Sequence, residues 1–354
     1  MASRNLTNNK LEATENGAEE SLPSHSGEWI EASGGQAAPI RMRVNQMRYE
    51  AESVLSVELV PMEQSQLPAF SAGAHIDVDL GEGISRSYSL INSQSETSRY
   101  AIAVNRNPQS RGGSRLVHES LRVGDKVSIR PPRNNFPLNE DASHSILIAG
   151  GIGITPLLSM IRRLESLGQS WELHYAARTR GAAAFVDTLR ALAGDRPERV
   201  HLYLSREPGG KRLDVGAFAR RASRDADLYC CGPAAMLASF ESETTSLPNS
   251  RVHIERFSST ESPSLEGGFE VILQRSNRRI QVPPGKTVLD ALLDANINVA
   301  FSCGEGVCGT CETAVIAGEP DHRDEFLSNE EKRSNKTMMI CCSGSHSAEL
   351  VLDL

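Results

Sequence analysis

The spacing of four cysteines near the C-terminus constrains this chain more than any other feature. Cys303, Cys308 and Cys311 are separated by four and by two residues, and 29 residues lie between Cys311 and Cys341. This C-x4-C-x2-C…C spacing is typical of plant-type [2Fe–2S] ferredoxins, in which four thiolates hold two irons. Zinc is the main competitor, but zinc sites usually contain two C-x2-C pairs, and only one is present here. The spacing therefore predicts a [2Fe–2S] cluster in a glycine-rich loop.

The fourth ligand of that cluster has two candidates, because Cys341 and Cys342 are adjacent. If residues Thr337–Ser343 are extended, the two side chains point to opposite faces, and only one of them can reach the cluster. We predict that Cys341 is the ligand. Cys342 is then a partly buried, small apolar side chain.

Composition indicates an acidic globular protein of two or three domains. The chain has 354 residues, a net charge of −8 and a pI of about 5.7,. An acidic surface argues against nucleic acid as the main partner. Apolar runs of about 18 residues are absent and the polar N-terminus lacks an apolar signal core, so we expect no membrane partner and a cytoplasmic protein. All seven cysteines follow position 229, which favours metal or redox chemistry over a disulfide framework,.

The first part of the chain is predicted to form a leader and a β-barrel. Residues 1–38 are mostly small and polar, which is typical of a disordered leader. Between residues 39 and 140, short alternating segments separated by turn residues predict an antiparallel barrel. The predicted strands are Ile40–Val44, Val54–Val60, Ala74–Leu80, Arg86–Ile91, Tyr100–Val104 and Lys126–Ile129.

Residues 141–257 alternate strands with helical segments, which predicts a doubly wound α/β domain. In its first helix, Thr155 suits the N-cap, Pro156 the first helical position, and Gly168 the end. The predicted strands are Ser145–Ala149, Trp171–Ala176, Val200–Leu204 and Ala226–Cys231.

A linker at 258–267 contains Ser, Gly and Pro and precedes a small α+β domain at 268–354. Thr287 and Asp290 have the spacing of a capping box at the start of a helix. The predicted hairpin strands of this domain are Phe269–Gln274 and Arg279–Val282.

Two loops of the α/β domain are candidates for a nucleotide site. Gly150–Gly153 follows a strand and opens a helix, where a pyrophosphate can accept backbone N–H bonds, although Pro156 stands where the G-x-G-x-x-G pattern has its last glycine. Cys231-Gly232-Pro233 follows the last strand of the domain. Each loop alone could be an ordinary turn. Because both follow the carboxyl ends of strands in one domain, together they favour nucleotide binding.

Two segments of the barrel are candidates for a flavin site. Arg86 and Tyr88 share one face of a predicted strand, with Ser87 and Ser89 on the other, and an Arg beside an aromatic side chain could hold a phosphate and a flavin ring. An exposed strand face with ordinary polar residues is the simpler interpretation. The loop Ser110–Ser114 offers glycine N–H groups, a hydroxyl and a guanidinium to a phosphate, or is a plain surface turn.

Taken together and in this order, these motifs resemble the phthalate dioxygenase reductase and vanillate demethylase reductase family. The resemblance covers residues 40–354 and leaves the leader unexplained. It implies a ferredoxin–NADP⁺ reductase-like flavoprotein: an antiparallel flavin-binding β-barrel, a doubly wound α/β nucleotide-binding domain and a C-terminal β-grasp domain of the plant-type [2Fe–2S] ferredoxin kind.

The resemblance also implies roles for individual residues. Two are implied to lie at the reacting atoms: Ser89 near the flavin N5 and Cys231 near the nicotinamide C4. The residues implied to contact the flavin are Arg86, Tyr88, Ser89, Ala103, Val104 and Phe257, with Gly112, Gly113 and Ser114 at the FMN phosphate. The residues implied to face the nicotinamide nucleotide are Gly151, Gly153, Thr155, Pro156, Arg178, Gly232 and Pro233. The cluster ligands are Cys303, Cys308, Cys311 and Cys341.

The function implied by the resemblance is NADH-dependent transfer of electrons through FMN and a [2Fe–2S] cluster to a Rieske-type oxygenase that hydroxylates or demethylates an aromatic acid. The cofactors carry the redox chemistry, and the protein positions them. Arg178 could accommodate a 2′-phosphate, but NADH is the family's usual donor. Other acceptors, a cytochrome P450 or a di-iron hydroxylase, stay open, as does a non-catalytic iron–sulfur redox sensor.

Overall fold

A computed structural model of the chain describes residues 38–63, 65–81, 84–108, 112–221, 225–259 and 261–354. The leader predicted at residues 1–38 lies outside the described residues except for Ala38. Ser110 and Arg111 of the second glycine loop also lie outside them.

The first unit is a six-stranded antiparallel sheet in the order β4-β3-β6-β1-β2-β5. The sheet curls, because its two ends approach each other through a bridge between Leu90 and Ile102. This confirms the predicted antiparallel barrel. Its elements are β1 (Ile40–Ala51), β2 (Val54–Pro61), β3 (His75–Asp79), β4 (Ser85–Ser89), β5 (Tyr100–Asn105), α1 (Gly113–Glu119) and β6 (Lys126–Ile129).

The second unit is a five-stranded parallel sheet in the order β11-β10-β7-β8-β9. Helices α2 and α3 pack on one face of the sheet, and α4 and α5 pack on the other. The predicted doubly wound α/β arrangement is therefore confirmed. Its elements are β7 (His144–Gly150), α2 (Ile154–Leu167), β8 (Ser170–Ala177), α3 (Val186–Ala193), β9 (Val200–Leu204), α4 (Gly216–Arg221), β10 (Ala226–Cys231), α5 (Ala234–Thr244) and β11 (Val252–Glu255).

Helix α2 begins earlier than the sequence predicts. A 3-10 turn at Gly151–Gly153 runs directly into the helix, so Gly153 is the N-cap and Ile154 the first helical residue. The Thr155 hydroxyl donates to the Ile152 carbonyl at 2.9 Å instead of capping the helix. Gly168 ends the helix in the left-handed conformation, at φ 67°, as predicted,. No helix among the described residues is long and apolar enough to cross a membrane.

The third unit is a five-stranded mixed sheet in the order β13-β12-β18-β14-β16, covered by α6. The capping box of Thr287 and Asp290 is confirmed at the start of α6, since each side chain bonds the other residue's backbone N–H. The elements are β12 (Phe269–Leu273), β13 (Arg278–Val282), α6 (Val288–Asp294), β14 (Glu312–Ala317), β15 (Pro320–Asp321), α7 (Asn329–Ser334), β16 (Thr337–Met339), β17 (Gly344–Ser345) and β18 (Glu349–Leu352).

The segment that carries the last two cysteines is extended only over Thr337–Met339, so the condition considered for Thr337–Ser343 is not met beyond that strand. Strand β16 ends at Met339, and the Met339 carbonyl accepts the N–H groups of Cys342 at 3.2 Å and Ser343 at 3.0 Å. These two bonds close a turn after the strand. Strand alternation therefore cannot decide between Cys341 and Cys342, and their actual contacts must do so.

Candidate active site

All three units contribute to one cleft with a cavity volume of about 360 Å³. Strands β3 and β4 form its barrel side, the end of β11 and the residues after it form a second side, and the cysteine-rich loop forms a third. The lining residues are His75, Arg86, Ser87, Ser89, Asn135, Ile254, Glu255, Arg256, Phe257, Cys303, Glu305, Val307, Cys308, Glu325 and Phe326.

The cleft brings together Arg86, Ser89 and Phe257, three residues predicted to contact a flavin. Ser89 is buried at the end of β4, and Phe257 is 39% exposed, as a ring at the open side of a site would be. His75, also buried in this wall, has an Nε2 atom with no hydrogen-bond partner among the described residues. A polar group bound in the cleft would satisfy that atom.

Three other predicted flavin residues, Tyr88, Ala103 and Val104, do not line the cleft. Tyr88 packs against the barrel core, and burial raises its pKa to about 12. Ala103 and Val104 are buried in β5. None of the three lines the cleft, so any contact they make with a flavin would require the ring to reach the strand backbone.

The start of α1 is built to receive an anion. Gly112 has φ 92°, a value that favours glycine, and precedes the helix without a side-chain cap,. Gly113 lies against the Arg86 side chain, where a Cβ would stand 2.6 Å from Arg86 Cγ. Backbone N–H groups at the start of a helix, beside a guanidinium, fit a phosphate. Ser114 accepts the Asn107 N–H at 3.2 Å in the same loop.

The four predicted cluster cysteines form one buried group. The Cys303 thiol contacts those of Cys308 and Cys341, and the Cys311 thiol contacts that of Cys341. Contact with Cys303 and burial raise the pKa of Cys308, and contact with Cys341 and burial raise that of Cys311. Buried thiolates need a positive partner, which iron supplies. The donor set therefore fits a [2Fe–2S] cluster.

The loop around these cysteines has the conformation that a cluster requires. Gly304, Gly306 and Gly309 all have positive φ, and the Glu305 N–H donates to Cys303 Sγ at 3.3 Å. A Cβ on Gly306 would stand 2.6 Å from the sulfur of Cys342. Only glycine therefore allows the loop to close over that side chain.

Cys342 takes a different part in the structure from Cys341. Its sulfur packs against Gly306 and lies 3.7 Å from the Met339 carbonyl oxygen, to which it donates. Cys341 instead contacts Cys303 and Cys311. These contacts favour Cys341 as the fourth ligand.

The two nucleotide-binding loop candidates touch at the carboxyl edge of the parallel sheet. A Cβ on Gly153 would stand 2.1 Å from the Cys231 carbonyl oxygen, and one on Gly150 would stand 2.6 Å from Pro233 Cδ. Gly151 has φ 54° with open space around it. Arg178 follows the neighbouring strand β8, and its carbonyl accepts the Arg206 N–H at 2.9 Å. The edge thus has the geometry of a dinucleotide site.

Cys231 is fully buried at that edge, 1% exposed, and is paired in register with Glu255 on β11. Burial, then the nearby Glu255 carboxylate, raises the pKa of its thiol. The thiol is therefore neutral at physiological pH, and a role in orienting a nicotinamide stays a prediction.

Glu255 is a cleft residue that the sequence did not single out. It is partly buried at the end of β11, and the loss of solvent contact there raises its pKa to about 8. The Glu255 carboxyl is therefore protonated at neutral pH. Glu255 lines the cleft and is also paired with Cys231, so it connects the cleft to the carboxyl edge of the parallel sheet. It directly precedes Arg256 and Phe257, but the sequence predicted no role for it at the site. Phe326 and Glu325 were missed in the same way.

Replacement of Glu255 by glutamine is expected to remove a pH dependence of stability. The carboxyl pKa is 4.5 in the unfolded chain and about 8 in the folded one, so the folded state binds the proton more tightly. The wild type should lose about 1.4 kcal/mol of unfolding free energy, relative to E255Q, for each pH unit between those values. Denaturant unfolding of both proteins across this range checks it. Parallel pH profiles would show that Glu255 titrates normally.

Comparison with known proteins identifies two domain families in the chain. Residues 271–344 match the model of the 2Fe-2S iron-sulfur cluster binding domain. Residues 147–242 match that of the oxidoreductase NAD-binding domain. The first match spans the cysteine-rich loop, and the second spans both nucleotide-binding loop candidates.

The chain is also similar to full-length reductases. It is 51% identical over 317 residues to phenoxybenzoate dioxygenase subunit beta of Ectopseudomonas oleovorans, covering 90% of this chain and 98% of that protein. It is 42% identical to a vanillate O-demethylase oxidoreductase of a Pseudomonas strain, covering 89% and 100%. The solved structure of a phthalate dioxygenase reductase superimposes with a TM-score of 0.74 at 38% identity, covering 89% of this chain and 98% of that one.

Proposed function

The chain belongs to the phthalate dioxygenase reductase family, and from that membership we propose that it supplies electrons to a Rieske-type oxygenase acting on an aromatic acid. It is an NADH-dependent oxidoreductase with FMN and a [2Fe–2S] cluster, and an oxygenase is its electron acceptor. The similar proteins bear the names of phenoxybenzoate, vanillate and phthalate oxygenase systems, which supports an aromatic acid as the oxygenase substrate.

The observation that carries the proposal is the shared cleft. Residues from the barrel, from β11 and from the cysteine-rich loop line one cavity. A flavin held there would supply the conversion between the two electrons of a hydride and the single electrons that an iron–sulfur cluster takes. Cys303 and Cys308, two of the proposed cluster ligands, line the same cavity, so the proposed flavin and cluster sites are adjacent.

We assign the following roles to residues of the chain. Arg86 and the N–H groups of Gly112 and Gly113 hold the flavin phosphate, with help from Ser114. Ser89 hydrogen-bonds the reactive edge of the ring, and Phe257 shields its open face. Ala103, Val104 and Tyr88 support the ring from behind. The cluster ligands are Cys303, Cys308, Cys311 and Cys341.

The nucleotide lies across the touching loops of the parallel sheet. Gly151, Gly153 and Thr155, with Pro156, form its pyrophosphate side, and Gly232 and Pro233 lie opposite. Cys231 orients the nicotinamide beside Glu255, and Arg178 lies near the adenosine ribose.

We further propose that the chain is organised as a barrel domain at 39–140, an NAD-binding domain at 141–257, a linker at 258–267 and a ferredoxin domain at 268–354, and that it works in the cytoplasm. In the structure the seven cysteines are free thiols. A thiolate-held cluster suits a reducing compartment. The leader at 1–38 has no assigned role.

The acceptor is tested by reconstitution. The purified protein is mixed with NADH and, in turn, with a Rieske oxygenase and its aromatic acid, a cytochrome P450 and a di-iron hydroxylase, and the oxidised product is measured. Product formation with the Rieske enzyme at the highest kcat/KM is the expected result. Preference for another acceptor would refute the Rieske assignment. Absence of steady NADH-dependent cytochrome c reduction would instead favour a non-catalytic redox sensor.

Electron delivery to the oxygenase is expected to depend on salt. Residues 268–354 contain 8 Lys and Arg and 13 Asp and Glu, a net charge of −5. Opposite charges on a partner would speed association, and salt would screen that attraction. Transfer to the oxygenase should slow by about tenfold or more as ionic strength rises, whereas ferricyanide reduction serves as the control. A flat profile would exclude electrostatic steering.

A further inference from the structure

The buried carboxylate of Asp77 bonds two side chains that also contact the third unit. Asp77 lies on β3 with its side chain 1% exposed. Its Oδ2 accepts a bond from Arg133 Nη2 at 2.5 Å, and its Oδ1 accepts one from the Ser87 hydroxyl at 2.8 Å. Both carboxylate oxygens are thus occupied by partners within the barrel.

Each partner extends to the cysteine-rich loop. Arg133 Nη1 donates to Thr310 Oγ1 at 2.7 Å, and the Ser87 hydroxyl lies 2.8 Å from that of Ser302, which is fully buried. Ser302 directly precedes Cys303, and Thr310 lies between Cys308 and Cys311. One carboxylate of the barrel is therefore connected to both ends of the loop that carries three proposed cluster ligands.

The Thr310 hydroxyl also contacts a ligand directly, since Oγ1 lies 3.2 Å from Cys308 Sγ. The hydroxyl oxygen accepts from Arg133, and its own proton would be donated to the sulfur once Cys308 is a deprotonated iron ligand, since a thiolate can only accept. Hydrogen bonds to cluster sulfurs change the reduction potential of the cluster. Through Arg133 and Thr310, the barrel can therefore influence the electronic environment of the Cys308 sulfur.

Arg133 is held against the start of β3 by its backbone. Its backbone N–H donates to the His75 carbonyl at 3.0 Å, and its carbonyl accepts the His75 N–H at 2.9 Å. An ion pair that served the barrel alone would need only Asp77 and Arg133. Here Arg133 and Ser87 also bond side chains of the third unit. A buried, charge-assisted network of this kind fixes geometry more than it adds stability.

We propose that Asp77 is a positioning residue that docks the cysteine-rich loop on β4 through Ser87 and Arg133, and that Thr310 transmits this docking to Cys308. Strand β4 also carries Arg86 and Ser89, so the same network sets the separation of the flavin and the cluster. The inference rests on the proposed function, because it takes the cysteines as cluster ligands and the cleft as the flavin site.

The first test compares Thr310→Val with Thr313→Val in the holoenzyme. Thr313 is a matched control, since it is buried two residues after Cys311 and, among the described residues, its hydroxyl donates to the Cys311 carbonyl at 3.2 Å rather than to a sulfur. T310V should lower the reduction potential of the cluster and alter its EPR spectrum. It should also slow cytochrome c reduction by about tenfold without slowing ferricyanide reduction. Equal potentials and spectra in T310V and T313V would overturn the proposal.

The second test separates docking from local barrel stability. In Asp77→Asn, amide hydrogen exchange should accelerate across residues 302–310, while exchange in β7 and β8 stays unchanged. Exchange that accelerates in the barrel alone would overturn the proposal. Arg133→Gln removes the same network at its more exposed residue. It should also accelerate exchange across residues 302–310, and it replaces Asp77→Asn if that variant does not fold.

A double-mutant cycle completes the test. If Asp77 acts through Thr310, the R133Q/T310V protein should transfer electrons to cytochrome c as slowly as either single variant, whereas independent effects would multiply and refute the coupling. Wild-type protein that bound neither flavin nor iron would refute the proposed function itself. That outcome is recognised from cofactor content before any variant is compared.

Discussion

Replacing Cys308 by serine is expected to abolish NADH-dependent cytochrome c reduction while ferricyanide reduction continues. The thiol belongs to the buried group of four cysteines and lines the cleft. Serine removes one iron ligand, and even partners in the outer shell of a metal site typically contribute 10–100-fold. Cytochrome c turnover should therefore fall by about 100-fold or more, with loss of iron and retention of FMN, as measured by metal analysis and absorption spectra.

Cys342→Ser is the matched control for that experiment. Cys342 is as deeply buried as the four ligand candidates, but its sulfur packs against Gly306 and the Met339 carbonyl. The variant should retain iron and most of the cytochrome c activity. If C342S lost its iron while Cys341→Ser kept it, the assignment of the fourth ligand would be reversed.

Gly153→Ala is expected to have the second large effect, on the nucleotide side. The added Cβ would stand 2.1 Å from the Cys231 carbonyl oxygen and 2.9 Å from the Gly232 nitrogen. Backbone atoms cannot rotate away as a flexible side chain can, so the two loops must separate. Overpacking of this kind costs about 1–3 kcal/mol, and a displacement of about 1 Å at a reacting centre can cost on the order of 100-fold in rate.

The variant should therefore be reduced by NADH about 100-fold more slowly in stopped-flow mixing, with its FMN and iron intact. Gly168→Ala is the control, because this glycine lies at the other end of α2, outside the proposed site, with φ 67° and open space around it. It should cost only about 1 kcal/mol of stability, the penalty of a left-handed alanine. Equal rates of flavin reduction in both variants would remove the proposed nucleotide site from this edge.

Local patterns predicted the parts of the molecule that local chemistry determines. The C-x4-C-x2-C spacing confines three thiols to one short loop, and Thr287 with Asp290 satisfies backbone groups within a single helical turn. Strand β9 and strand β10 have the predicted bounds, because alternating or continuous apolar runs between turn residues leave few other structures,. The three-part fold follows from the order of these patterns.

The remaining features depend on contacts between distant segments. Strand alternation placed Arg86 and Tyr88 on one face, but only tertiary packing shows that Tyr88 contacts the barrel core. Asp77 and Thr310 are 233 positions apart and belong to no motif. The raised pKa of Glu255 likewise arises from the packing around it. Sequence spacing carries no information about such contacts between residues that are distant in the chain.

Anaerobic mixing of the holoenzyme with NADH tests the central claim most directly. Flavin absorption and the EPR signal of the reduced cluster would be followed together, in the wild type and in protein stripped of FMN. Flavin bleaching should precede the cluster signal in the wild type, and the cluster of the FMN-free protein should stay oxidised. A cluster that NADH reduces equally fast without FMN would contradict the claim.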